Sequence, residues 1–312
     1  MTGLVVLTCA SGKQCASLIP LLYDNKPDLR LRLIVHSQKS LERLQNQWPK
    51  AEVLRIDLAQ PDDCTRVLKD ASTLYYVGPP FQPPEAVYGA NMVNAAVFES
   101  KRPGSQFSHF VLSSVLHPCI SKLLNHDRKR LIEEHLIESG LPYTILQPSH
   151  FADNAIDRLV SQKEADHPVF TGMHDPNVAF SFTCVKDHAE VSAKVIRERE
   201  KHFYATYQLA STLPMKYTEY IQSVGAVMGK TFEVRQLPHE EAVRIYCKLI
   251  FGQEKDHLDQ ARIDGPERLL MYYNGRGLAG NPAVLEWLLG RPGTTPAQLA
   301  KLKLERLSQS SA

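Results

Sequence analysis

The strongest constraint on this chain is the regular alternation, across its first 150 residues, of short apolar runs with longer amphipathic stretches. Leu4-Val5-Val6-Leu7 is continuously apolar, the pattern of a strand covered on both faces of a parallel sheet. It breaks over Thr8–Gly12, and Ala16–Tyr23 then reads as a helix. The same rhythm gives strands at Leu31–Val35, Glu52–Ile56, Thr73–Val77, Phe107–Ser113 and Tyr143–Leu146. Helices fall between them at Ser40–Gln47, Pro61–Leu68, Asn91–Ser100 and His126–Ser139, the last stopped by Gly140. Single helices between strands imply right-handed crossovers and a parallel sheet covered on both sides. The expected fold is therefore α/β, a doubly wound parallel sheet.

Past Pro148 the rhythm decays. A strand is expected at Phe180–Val185, a helix at Val185–Glu198, β structure at Tyr204–Leu209 and a helix at Thr218–Met228. A strand follows at Phe232–Leu237, then mainly helix from Glu240 to a charged final helix, Pro296–Leu307. The division expected is residues 1–150 as the ligand-binding sheet domain and 151–312 as a smaller C-terminal α/β lobe, with part of the chain returning to the sheet. Lys plus Arg exceed Asp plus Glu by only 36 to 34, so no global field points to nucleic acid or anionic lipid. No apolar run reaches the ~20 residues of a membrane span, and the opening MTGLVVLTCASG reads as a strand rather than a signal peptide. Six cysteines without CxxC spacing indicate neither a zinc site nor a disulfide framework; reduced thiols in a cytoplasmic protein are expected. The twelve histidines are dispersed, so no metal site is expected.

In such a sheet, ligands sit at the carboxyl ends of the strands, where the first turn meets a helix N-terminus. That turn reads Thr8-Cys9-Ala10-Ser11-Gly12-Lys13-Gln14-Cys15. The spacing is that of a GxxGxxG phosphate loop, with only Gly12 kept. Cys9 holds the tight-turn position, where it must take a strained backbone or signal a changed turn; Cys15 holds the helix-packing position. The same residues also suit a plain strand–turn–helix that binds nothing. The second strand leads into His36-Ser37-Gln38-Lys39, with no acid to hold a ribose 2′-hydroxyl, so a dinucleotide here would be NADP(H) rather than NAD(H). Asp57 and Leu58, after the third strand, lie where such folds touch adenine.

Longer blocks carry a resemblance: TCASGKQC, RIDLAQPD, HFVLSSV, RKRLIEEHLIESGLPYTILQPSHFADN and GLAGNPAVLEWLLGRPGTT. The chain resembles the NmrA-like members, of fungal type, of the atypical short-chain dehydrogenase/reductase family. The resemblance implies a Rossmann-like fold and either an NADP(H)-dependent reductase or a non-catalytic dinucleotide sensor, with some relatives in secondary metabolism. It also implies a lysine on the helix after the fifth strand that holds the nicotinamide ribose, which falls on Lys129. The tyrosine expected four residues earlier is replaced by Asn125, followed by His126. His126 and His150 are then the candidate acids, and Ser113 and Ser114 the candidates that orient a carbonyl. Gly78, Pro79, Pro80 and Phe81 resemble the loop over the nicotinamide, and Pro148 and Phe151 complete the cofactor set. Asn125 and His126 also suit a helix opening, and His150 a hydrogen-bonded core histidine.

Three functions fit these residues. The first is NADP(H)-dependent reduction of a small, aromatic or polycyclic metabolite. The second is a dinucleotide-binding sensor without turnover, and the third an isomerase or cyclase that reuses the cleft. A small molecule is the expected partner, without nucleic acid or membrane; an oligomer is compatible.

Overall fold

Leu4, Val5, Val6 and Leu7 are all buried, as a strand covered on both faces requires. In the computed structural model, which describes residues 3–23 and 29–310, they belong to strand β1 (Gly3–Leu7). The alternation then continues through α1 (Lys13–Tyr23), β2 (Leu29–Val35), α2 (Gln38–Gln47), β3 (Glu52–Arg55), α3 (Pro61–Leu68) and β4 (Thr73–Val77). It is completed by α4 (Glu85–Lys101), β5 (His109–Ser113), α5 (Leu124–Glu138) and β6 (Tyr143–Pro148). Gly140 closes the fifth helix segment at φ +72°, the left-handed conformation that favours glycine. Four of these helices begin earlier than the apolar pattern indicates, α2 and α5 by two residues and α1 and α4 by more. The first turn of α1 is polar, and α4 starts at Glu85, whose acidic side chain is fully buried.

The remaining elements are β7 (His150–Phe151), α6 (Asp153–Val160), β8 (Val169–Gly172), β9 (Ala179–Phe180), β10 (Phe182–Thr183), α7 (Val185–Glu198) and β11 (Ala205–Leu209). They continue with β12 (Met215–Lys216), α8 (Tyr217–Val227), β13 (Glu233–Gln236), α9 (His239–Phe251), α10 (Gln260–Arg276), α11 (Ala283–Leu289) and α12 (Pro296–Ser310). The single strand expected over Phe180–Val185 is divided at Ser181. Its amide donates to the Leu278 carbonyl and its hydroxyl to that of Gly280 (2.8 and 2.9 Å), so β9 pairs with β12 and β10 with β7.

The main sheet has seven strands in the order β11-β6-β5-β4-β1-β2-β3, with β1 to β6 parallel. This is a doubly wound, Rossmann-like sheet, and its order reverses beside β1. One core layer joins Leu4, Val6, Leu74, Tyr76, Phe110 and Leu112 of the strands to Met92, Val93 and Ile132 of α4 and α5.

The chain folds into two compact units. Unit 1 holds the residues up to Ser121, Asn125–Gln147 and His188–Tyr207; unit 2 holds Lys122–Leu124, Pro148–Asp187 and the residues from Gln208 onward. In unit 2 the Asp187 carboxylate is fully buried. It accepts from the Thr294 amide and hydroxyl, the Ser211 hydroxyl and the Arg291 guanidinium at 2.6 to 3.0 Å. No helix of the described residues is long and apolar enough to cross a membrane.

Candidate functional site

Unit 1 gathers its polar residues where the theory of doubly wound sheets places them, at the carboxyl ends of β1 to β5. Thr8 ends β1, and its hydroxyl both accepts from the Val77 amide and donates to the Val77 carbonyl (2.8 and 2.9 Å), which pins β4 to β1. Cys9 then turns the chain at φ +47°, so the tight-turn position is kept by a strained cysteine in place of glycine. Ala10 is buried, its amide donating to the Ile34 carbonyl, whereas Ser11, Gly12 and Lys13 are exposed at the start of α1. The Gly12 amide donates to the Cys9 carbonyl at 2.9 Å. Amides in the first turn of a helix have no intrahelical acceptor, which makes this the phosphate-seeking end of α1.

Beside the turn lies a cleft of about 250 Å³ between the ends of β1 to β4. Cys9, Ile34, His36, Ile56, Asp57, Leu58, Pro79 and Tyr88 are among its lining residues. Ile34, Ile56, Leu58 and Pro79 make most of its lining apolar, and His36 and Asp57 add polar groups. The Asp57 carboxylate accepts from the Ala59 amide (2.9 Å), and the Leu58 carbonyl accepts from Asn91 (2.9 Å), so this edge is fixed. Ser37 caps α2 by accepting from the Ser40 amide, and Lys39 is exposed in the first turn of that helix. Arg43, one turn further on, reaches back to the Ser11 carbonyl (3.4 Å). Of the loop after β4, Gly78 is buried, Pro79 half-buried and Pro80 exposed, while Phe81 is buried at a left-handed φ of +65°.

The candidates for chemistry are disposed differently. Lys129 pairs with the buried Glu85 at 2.5 Å. Burial pushes the Cys9 thiol up to about 11, with Lys129 opposing and Glu85 reinforcing, which sets this ion pair beside the first turn. Ser113 is buried and donates to Gln14 (2.7 Å), with His188 Nε2 at 3.5 Å. Tyr75 also donates to Gln14 (3.3 Å), so Gln14 joins α1 to β4 and β5. Ser114 is buried beside the Glu133 carboxyl, which burial raises while two hydrogen bonds from Gln147 (3.0 Å each) oppose the shift. His126 is wholly buried and donates from Nδ1 to the His117 carbonyl (3.0 Å); burial lowers it to about 4, so the ring is neutral at pH 7. Cys15 is buried, its thiol donating to the Thr8 carbonyl and raised by burial, which makes it inert.

A family model described as the NmrA-like family matches residues 1–259. The chain belongs to the NmrA-like family. Comparison of the sequence with curated proteins found no match. Among solved structures, the NADPH-dependent quinone oxidoreductase of Escherichia coli, complexed with NADPH, is similar at a TM-score of 0.75 and 21% identity, over 96% of this chain and 99% of that one. The triphenylmethane reductase of Citrobacter sp., complexed with NADP(H), gives 0.74 and 18% over 95% and 99%. The negative transcriptional regulator NmrA, in complex with NAD, gives 0.66 and 15% over 96% and 90%. At these identities the likeness is one of fold.

In this NmrA-like chain, Pro148, His150 and Phe151 belong to unit 2, whereas the other candidates belong to unit 1. Pro148 is buried and Phe151 half-buried. His150 packs in a ring cluster with His174, Phe180, Phe182 and Tyr273 at centroid distances of 5.2 to 6.3 Å, and burial lowers it to about 3. Sequence reasoning missed Glu85, Arg43 and Tyr88. Glu85 looks like an ordinary acid in a helix's first turn, and Arg43 like a solvated charge on α2. For Tyr88 a signal existed, an aromatic residue soon after the Gly-Pro-Pro loop.

Proposed function

We propose that this protein is an NADP(H)-dependent reductase of a small aromatic or polycyclic metabolite. The observation that carries the reading is the cleft between the first turn and the tips of β2 and β3, which His36 lines, with no acid at the β2 tip and with Lys39 and Arg43 on the helix that follows, Arg43 reaching the Ser11 carbonyl of the turn. An acid there would repel a 2′-phosphate; basic and polar groups accept it. The residues fit the dinucleotide: an added Cβ on Gly12 would stand 3.2 Å from the Cys9 carbonyl oxygen, so this position is kept bare beside the amides of α1. The quinone oxidoreductase and triphenylmethane reductase of the same fold, crystallised with NADPH and NADP(H), support the assignment.

Bound NADPH supplies the hydride. The chain's own part is positioning: the first turn of α1 would receive the pyrophosphate, Ile56, Asp57 and Leu58 would line the adenine side of the cleft, and Lys129 would hold the nicotinamide ribose. His126, neutral and donating to the His117 carbonyl, is poorly placed to give up a proton, whereas the Lys129 ammonium, held by Glu85, is a protic group beside the first turn.

A second reading, a dinucleotide sensor without turnover, is favoured by Asn125, which is buried where classical short-chain dehydrogenase/reductases carry tyrosine. One experiment separates the two. NADPH and NADH affinities are measured by fluorescence titration, and NADPH consumption is followed with quinones and triphenylmethane dyes. Tight NADPH binding with consumption supports the reductase and binding alone the sensor. NADH binding equal to or tighter than NADPH overturns the cofactor assignment.

A further inference from the structure

Glu85 is the first residue of α4, and its carboxylate is fully buried. Its Oε1 receives the Lys129 ammonium at 2.5 Å, with only 12% of the lysine side chain exposed. Its Oε2 is buried without a hydrogen-bond partner among the described residues. The contact with Lys129 is thus the main compensation for a charge removed from water. The neighbourhood is shaped around that carboxylate. Gly78, just past the end of β4, lies against it: a Cβ there would stand 3.4 Å from Oε1, ordinary contact, and 3.3 Å from the Tyr76 hydroxyl. Tyr76, from β4, and Cys9, from the first turn, both feel the Glu85 charge. Three separate segments therefore converge on one point, and the ammonium held there lies beside the dinucleotide turn.

We propose that Glu85 is a positioning residue that fixes the Lys129 ammonium against the nicotinamide end of the bound dinucleotide. In this chain the buried carboxylate on α4 steadies a lysine whose expected tyrosine neighbour is replaced by Asn125. The inference rests on the dinucleotide reading above.

The test uses the full chain and two probes, NADPH and adenosine 2′,5′-bisphosphate, which lacks the nicotinamide half. In Glu85→Gln, NADPH affinity falls by about tenfold or more, the loss of one charge-assisted contact. Adenosine 2′,5′-bisphosphate affinity holds, and Glu85→Asp recovers much of the loss. A purely structural role would weaken both probes together, and that result, or no change in either, overturns the proposal. A ¹⁵N spectrum of the lysine ammonium groups gives an independent reading in the unmodified protein, with Lys129 assigned through Lys129→Arg. A clamped ammonium shows an exchange-protected cross-peak that Glu85→Gln removes. Its absence from the parent overturns the clamp even where Glu85→Gln fails to fold. If the parent binds neither probe, the dinucleotide reading falls, while the ammonium spectrum still decides whether Glu85 holds Lys129.

Discussion

Replacing Gly12 separates what the fold needs from what the ligand needs. The glycine is exposed and lies outside the left-handed region, so a side chain is allowed by the backbone. An added Cβ would meet the Cys9 carbonyl oxygen at 3.2 Å, inside the 3.4 Å of ordinary contact, so the turn must yield by a few tenths of an ångström. Glycine-to-alanine at this helix-opening position costs the fold only about 0.5 kcal/mol. Binding suffers far more. A pyrophosphate kept off the first-turn amides loses about two charge-assisted hydrogen bonds at ~1.5 kcal/mol or more each, which is roughly 100-fold in Kd. Gly12→Val should therefore abolish measurable NADPH binding, with Gly12→Ala between it and the parent, while both melt within about 3 °C of the parent. Calorimetric titration and a thermal melt on the same samples provide the check. If Gly12→Val keeps parental affinity, the phosphate assignment is wrong; if its melting point collapses, Gly12 serves the fold instead.

Arg43→Ala should weaken NADPH binding by about tenfold at low salt and leave NADH unchanged, a difference that shrinks as salt screens the exposed guanidinium; titration at two ionic strengths measures it. Asp187→Ala strands the Thr294, Ser211 and Arg291 donors in unit 2 and should cost ~3 kcal/mol or more, a drop of roughly 10 °C in Tm by calorimetry. Burial lowers His126 and His188 to about 4 in the folded chain. Unfolded, each binds a proton near pH 6.5, so their contribution is intact above that value and is lost as pH falls toward about 4. Urea midpoints at pH 7 and pH 5 should differ accordingly, and His188→Gln should reduce the difference.

The sheet was legible because its strands are buried on both faces and its helices are single crossovers, a pattern that leaves few alternatives. Cys9 shows how far local chemistry carried: its position required strain or a changed turn, and it sits at φ +47°. The second half was harder. Two-residue strands such as β7 and β10 have too few residues for any period, and Ser181 divides the Phe180–Val185 stretch through bonds to residues nearly a hundred positions away. Glu85 and Lys129 are forty-four residues apart, and nothing in either neighbourhood announces the pair. Burial of an acid is a property of the packed chain, invisible in a helix's first turn.

The discontinuity of unit 1 bears on how the protein is made. The unit's segment ending at Gln147 is followed by forty residues of unit 2 before the chain returns at His188, and only at Tyr207 is its last piece present. At ~5 to 20 residues per second, the ribosome leaves β6 without its β11 neighbour for roughly 3 to 12 seconds after Gln147 is synthesised. For that interval β6, an interior strand of the finished sheet, is its open edge, the kind that pairs with other chains. A stop placed after residue 150 would make that interval permanent.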